Sequence, residues 1–188
     1  MTTFQAEIFN KKPSDPKNKP DQIIKALALR QGQSIVDIGS GGGYFSLRFA
    51  KIVGEKGRVY AVDTNQKFID FISQRAREKK LNNIYPILAR EDRLDLQEQS
   101  LDVIFMRNIT HHLSNRTQYF VNLKGFLKPD GKIIIIDYKP SKSFNFSGMF
   151  GHHVAKETII QEMEDAGYSL EKDFDFLSKQ HFTLYSIP

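Results

Sequence analysis

Apolar residues recur along this chain with two different periods, and the two periods alternate. Spacing of three and four residues predicts helices; short apolar runs bounded by turn residues predict strands. Asp21 stands where it would cap a short helix carrying Ile23, Ile24, Leu27 and Leu29, ended near Gly32. From there strands are predicted over residues 34–38, 58–62, 84–89, 102–106 and 132–137. Helices are predicted between them: 44–53 (Phe45, Phe49 and Ile52, closed by Gly54), 65–80 (Phe68, Ile69, Ile72 and Ala76) and 114–127 (Tyr119, Phe120, Leu123 and Leu127). Pro129-Asp130-Gly131 reads as a turn before 132–137, and the four isoleucines at 133–136 make that strand apolar on both faces, as a central parallel strand is.

Strand and helix alternating in this way predict an α/β fold, a doubly wound, mostly parallel sheet with helices on both faces. The last third breaks the rhythm. A helix over 156–166 stops at Gly167, and strand-like runs follow at 168–177 and 181–187. Only Ser178, Lys179 and Gln180 separate them, too few for a parallel crossover, so they are predicted to form a C-terminal antiparallel hairpin. That gives seven strands. Residues 1–20, polar and broken by Pro13, Pro16 and Pro20, read as an N-terminal arm held by Phe4, Ile8 and Phe9. Residues 21–188 read as a single domain, with no internal repeat.

Composition narrows the chemistry. The 188 residues contain no cysteine, which excludes disulfides, thiolate metal sites and a cysteine nucleophile. No apolar run approaches the roughly 18 to 20 residues of a membrane span, and the start shows no secretory pattern, so a cytoplasmic location is expected. Net charge is +5 and the sequence pI about 9.3, which would suit an anionic partner such as nucleic acid. The basic residues are scattered, however. Their densest group (Arg75, Arg77, Lys79, Lys80) ends a predicted helix, where cations complement the dipole, so a solvated surface is the favoured reading.

The strongest chemical signal is Val36-Asp37-Ile38-Gly39-Ser40-Gly41-Gly42-Gly43-Tyr44-Phe45, a strand running through a glycine turn into a helix. Glycines let the backbone bend sharply and approach a ligand closely, and the helix start offers free N–H groups. About twenty residues on, the second strand ends in Val62-Asp63, where an acid can accept from both ribose hydroxyls. This order predicts an adenosine-bearing cofactor. A dinucleotide turn would carry a third glycine where Tyr44 stands, and Asp37 would repel a pyrophosphate. An acid there suits an ammonium and a nearby sulfonium instead.

Together these residues resemble the class I S-adenosylmethionine-dependent methyltransferases, with their Rossmann-like sheet. Asp37, Gly39, Gly41 and Gly43 look like the first motif of that family and Val59 to Asp63 like its second-strand acid. The turn at 127–132 and the terminal hairpin are similar to those around its fifth and seventh strands. The resemblance implies S-adenosylmethionine as cofactor, with contacts from Asp37, Gly39, Ser40, Gly41 and Gly43 and with Asp63 and Thr64 at the ribose. Where many relatives hold the adenine amino group this chain has Ala89-Arg90-Glu91-Asp92, so that role falls to Glu91 or Asp92. The resemblance also puts Arg107 and Asn108, at the end of the fourth strand, where these enzymes place cofactor and substrate side by side.

The acceptor is less legible, because methyl transfer needs alignment and desolvation more than dedicated catalytic groups. Arg107-Asn108-Ile109-Thr110 replaces the Asn-Pro-Pro-Tyr segment of enzymes that act on amide or base nitrogens. A small-molecule acceptor is therefore expected. The alternatives are an RNA or protein methyltransferase, suggested by pI alone, and a cofactor-binding partner subunit without activity. His111 and His112 follow the fourth strand; packing in a connecting turn is the favoured reading, and His111 is the candidate base or acceptor-orienting group. The segment 140–155, with Phe144, Phe146, Met149 and Phe150 and possible hinges at Gly148 and Gly151, reads as a lid over an apolar acceptor. No metal site is expected, since His152-His153 lacks a third ligand.

Overall fold

A computed structural model describes residues 10, 12–90, 94–139 and 153–188. The described residues form these helices and strands: α1 (Pro20–Leu27), β1 (Ser34–Ile38), α2 (Tyr44–Val53), β2 (Arg58–Asp63), α3 (Gln66–Glu78), β3 (Ile84–Leu88), β4 (Leu101–Arg107), α4 (Arg116–Lys124), β5 (Leu127–Tyr138), α5 (Lys156–Asp165), β6 (Ser169–Phe174) and β7 (Gln180–Ser186). Single 3-10 turns lie at Pro16–Asn18 and Thr110–His112. The proposed lid falls almost wholly in 140–152, outside the described residues, as do Phe4, Ile8 and Phe9.

The strands form one sheet in the order β3-β2-β1-β4-β5-β7-β6. β1 to β5 pair in parallel, and β7 runs antiparallel to both β5 and β6. The expected hairpin therefore enters the sheet with its second strand inside, leaving β6 at the edge and β7 reversed against the other described strands. Successive side chains in a strand face opposite ways, so each buried strand feeds two cores. Ile35, Val59, Phe105, Ile134 and Phe182 pack with α1, α2 and α3 on one face. Val36, Val62, Ile104, Ile133 and Tyr185 pack with Phe120 and Leu123 of α4 and Ile159 and Met163 of α5 on the other.

The element boundaries differ from expectation in two instructive places. The helix predicted over 114–127 is confined to Arg116–Lys124, started by Asn115, whose side chain accepts from the Gln118 N–H. Leu127 leaves that helix and opens β5. Pro129-Asp130-Gly131 consequently lies inside a strand: Leu101 faces Leu127 and Val103 faces Lys132, so the chain bulges there and the ladder resumes. No helix among the described residues is long and apolar enough to cross a membrane.

Candidate active site

Parallel strands deliver their carboxyl ends to one edge of the sheet, which is where open α/β folds bind ligands. Asp37 near the end of β1, Asp63 at the end of β2 and Arg107 at the end of β4 meet there, around a cavity of about 930 Å³. Asp137, one residue from the end of β5, stands directly behind that wall.

The turn between β1 and α2 forms the first wall. Gly39 has φ +76, and a Cβ on it would come within 2.1 Å of the Ile109 side chain, so only glycine fits. Gly41 has φ +53 with open space where a Cβ would stand. Its N–H donates to Asp63 Oδ2 at 2.9 Å, while the Asn65 N–H donates to Asp63 Oδ1 at 2.9 Å. Asp63 thus ties the end of β2 to the glycine turn and is held in a single orientation. The N–H groups of Gly39 and Ser40 both donate to the Val62 carbonyl. The Ser40 hydroxyl is buried and has no partner among the described residues.

Asp37 lies beneath this turn, only 3% exposed, and accepts from the Ser46 hydroxyl of α2. Burial pushes its carboxyl up to about 7; the Ser46 bond opposes the rise, Asp63 adds to it and Arg107 opposes it. Burial likewise lowers the pKa of Arg107, against the pull of Tyr138, Asp37 and Tyr44. The Arg107 guanidinium lies 5.2 Å over the Phe45 ring, and its Nη2 donates to Gln180 Oε1 at 3.1 Å. Its Nε is buried without a partner among the described residues. Asn108 adopts a left-handed conformation, φ +57, and accepts from Gln180 Nε2.

The 3-10 turn after β4 builds the opposite wall. Asp137 is fully buried and accepts from the backbone N–H and the hydroxyl of Thr110 and from the Tyr138 N–H at 2.8 Å, and its Oδ1 lies 3.2 Å from His111 Nδ1. His111 lines the cavity, its ring 4.1 Å from that of His112. The N-terminal residues supply a further wall. Asn10 Nδ2 donates to the Gly42 carbonyl at 2.8 Å, and the Lys12 ammonium sits 4.8 Å over the Tyr138 ring.

Of the residues singled out in the sequence, Asp37, Gly39, Ser40, Gly41, Asp63, Thr64, Arg107, Asn108 and His111 all line this cavity. Gly43 does not; it stands at the start of α2, where a Cβ would press on Ile72 at 2.6 Å. Glu91 and Asp92 lie outside the described residues, although Ala89 and Leu94 on either side line the cavity. Sequence reasoning missed Asn10, Lys12, Asp137, Tyr138 and Gln180. Asp137 carried a signal, being an acid that closes an apolar strand just as Asp63 closes β2. The others carried none.

A sheet in the order 3-2-1-4-5-7-6, a glycine turn after the first strand and an acid closing the second define the class I S-adenosylmethionine-dependent methyltransferases. The chain belongs to the methyltransferase domain family, whose model matches residues 29–177. It is similar to the ubiquinone/menaquinone biosynthesis C-methyltransferase UbiE of Vibrio vulnificus (strain YJ016), 24% identical over 116 residues, 61% of this chain and 45% of that one. The UbiE of Shewanella pealeana is 23% identical over 175 residues, 77% of this chain and 70% of its own. The chain thus matches about half the length of the first of these curated relatives and more of the second. A SAM-dependent methyltransferase from Aquifex aeolicus shares the fold with a TM-score of 0.86 at 24% identity, covering all of both chains. The PH0226 protein of Pyrococcus horikoshii does so at 0.74 and 16%, covering 94% and 91%.

Proposed function

We propose that this protein transfers the methyl group of S-adenosylmethionine to a small-molecule acceptor bound in the same cavity. One observation carries the reading: the glycine turn opens onto a cavity with a buried carboxyl beneath it and a second carboxyl fixed at its rim. The residues fit such a cofactor. Space stands open at Gly41 for a close approach, and the Ser40 hydroxyl awaits a partner. In this reading Asp37 and Ser40 hold the amino-acid end of the cofactor, and Asp63 with Thr64 holds the ribose. Glu91 or Asp92 reaches the adenine, and Arg107 with Asn108 stands between cofactor and acceptor. Bound there, the cofactor supplies a methyl carbon activated by positive sulfur.

The chain's own residues then act mainly by position. Tyr44, Phe45, Phe68 and Leu94 exclude water, which strengthens the electrostatic pull of the carboxylates on a cation. The relatives' name, a C-methyltransferase of quinone biosynthesis, supports a small-molecule acceptor over RNA or protein. Residues 21–188 serve as the methyltransferase domain and 1–20 as an N-terminal arm, and a cytoplasmic location belongs to the same reading. Calorimetric titration tests it. The protein should bind S-adenosylmethionine and ignore NAD, and Asp63→Asn should weaken binding about 100-fold, the worth of two charge-assisted hydrogen bonds. Failure to bind, or equal binding by the Asp37→Asn, Asp63→Asn double variant, overturns it.

A further inference from the structure

We propose that the protein carries a binding surface for single-stranded nucleic acid at the end of the sheet opposite the cavity, built from Tyr60, Tyr85 and the basic loops beside them. The basic residues are scattered in sequence, but the parallel strands gather them. β1, β2 and β3 start at the same edge, and the segments leading into them lie side by side. There the Arg58 N–H donates to the Gln33 carbonyl and the Val59 N–H to the Asn83 carbonyl, while Asn83 Nδ2 donates to the carbonyls of Ala50 and Gly54, both at 2.8 Å. Residues 51–58 and 75–83 thereby bring seven cations together against two acids. One of those acids, Glu78, is already paired with Arg75 at 3.0 Å. Lys51, Lys56, Arg58, Arg77, Lys79 and Lys80 are exposed. The dipole of a helix end accounts for the cations that close α3, but not for Lys56 and Arg58, which stand in a loop and at the start of a strand.

A second observation is aromatic and independent of charge. Tyr60 and Tyr85 face each other across β2 and β3, their rings 5.5 Å apart and inclined by 31°. Tyr85 is 43% exposed. Side chains alternate along a strand, so Arg58 shares the face of β2 that carries Tyr60 and Val62. A helix follows each of β1, β2, β4 and β5, but between β3 and β4 the described residues form none, and the Tyr85 ring stays open to solvent. Exposed rings on a sheet face beside cations are the combination that stacks unpaired bases while holding their phosphates. A duplex keeps its base faces inside its own stack. A lipid surface would call for exposed aliphatic side chains, and the large ones among the described residues lie elsewhere: Leu88 on the other face of β3 and Val121 on α4. A strand held here is remote from the cavity, so it is a partner of the protein and not its methyl acceptor.

Binding of the full chain tests this, using a short fluorescent oligouridylate, an oligothymidylate of the same length, a matching RNA duplex, and vesicles of phosphatidylserine and phosphatidylcholine. At least one single strand should bind more tightly than the duplex. Its log affinity should fall against log salt with a slope of about −3, the release expected when about four phosphates are neutralised. Tyr85→Ala should weaken binding about tenfold and leave that slope unchanged, because it removes a stacking ring and no charge. Tyr85→Phe should bind as the wild type does. The Lys79→Glu, Lys80→Glu double variant should instead flatten the slope by about 1 or more. If Tyr85→Ala does not fold, Tyr85→Gln takes its place in the comparison. Calorimetric affinity for S-adenosylmethionine should stay at wild-type strength in all of them, since none of these residues lines the cavity, which separates this proposal from the cofactor reading. No binding of either single strand at about 50 mM salt, a duplex bound as tightly, wild-type affinity without the Tyr85 ring, or binding confined to the vesicles each overturns the proposal.

Discussion

Asp37 does two jobs that pull in opposite directions. Its carboxyl, pushed to about 7 by burial, keeps its proton in the empty protein at pH values where an unfolded chain has lost it. The empty protein should therefore lose stability as pH rises from about 4 to about 7, since the unfolded state binds fewer protons in that window. A cation held above Asp37 favours the ionised form, so binding should expel that proton. We expect affinity for S-adenosylmethionine to rise by up to about tenfold per pH unit toward pH 7 and then level off. Binding heats should vary with buffer ionisation enthalpy, and Asp37→Asn should remove both effects; heats that stay constant across buffers would refute the coupling. The glycines offer a second residue-scale contrast. Gly41→Ala meets no atom and should cost about 1–2 kcal/mol for its left-handed backbone, leaving the fold intact while the new methyl group blocks the cofactor. Gly39→Ala adds a clash with Ile109 to the same strain and should melt well below it. Thermal melts of the two variants compare them.

At the scale of elements, the packing of α4 on α5 rests on an ion pair as well as on the apolar core. Arg116 donates through Nε and Nη2 to both oxygens of Glu162, at 2.7 and 2.6 Å, with each side chain less than a quarter exposed. Such a forked pair holds a fixed geometry, unlike an exposed one. Glu162→Gln should cost about 2 kcal/mol in urea unfolding, and a variant as stable as wild type would mean that the apolar contacts suffice. Elements were also where sequence reading was most and least successful. The helix starts and strand cores of β1, α2 and β2 followed from local pattern, because glycine, apolar period and strand-end acid all act within a few residues. The end of α4 and the bulge at Pro129-Asp130-Gly131 did not. Turn residues mark a break in the chain, but whether the strand resumes its pairing depends on β4, the partner lying alongside.

For the molecule as a whole, the reversed strand β7 is the piece that closes the sheet. It covers β5 along residues 132–138 and in turn carries β6 at the edge. Deleting residues 168–188 should uncover the edge of β5 along its isoleucine run 133–136, and the shortened protein should aggregate rather than bind cofactor; size-exclusion chromatography and a melt decide, and a soluble, binding-competent product would refute it. The same hairpin brings Gln180 to Arg107 and Asn108, more than seventy residues away in sequence, while Asn10 reaches Gly42 across 32. Local order was enough for the sequence alone to determine the α/β alternation, the glycine turn, the second-strand acid and the antiparallel pairing of the last two strands, since each follows from neighbours in the chain. Tertiary structure alone decided that β7 enters beside β5, that Asn10, Lys12 and Pro13 line the cavity, and that Asp137 stands behind His111. Those contacts join segments whose separation leaves no periodic trace, and only the closing of the sheet brings them within hydrogen-bonding distance.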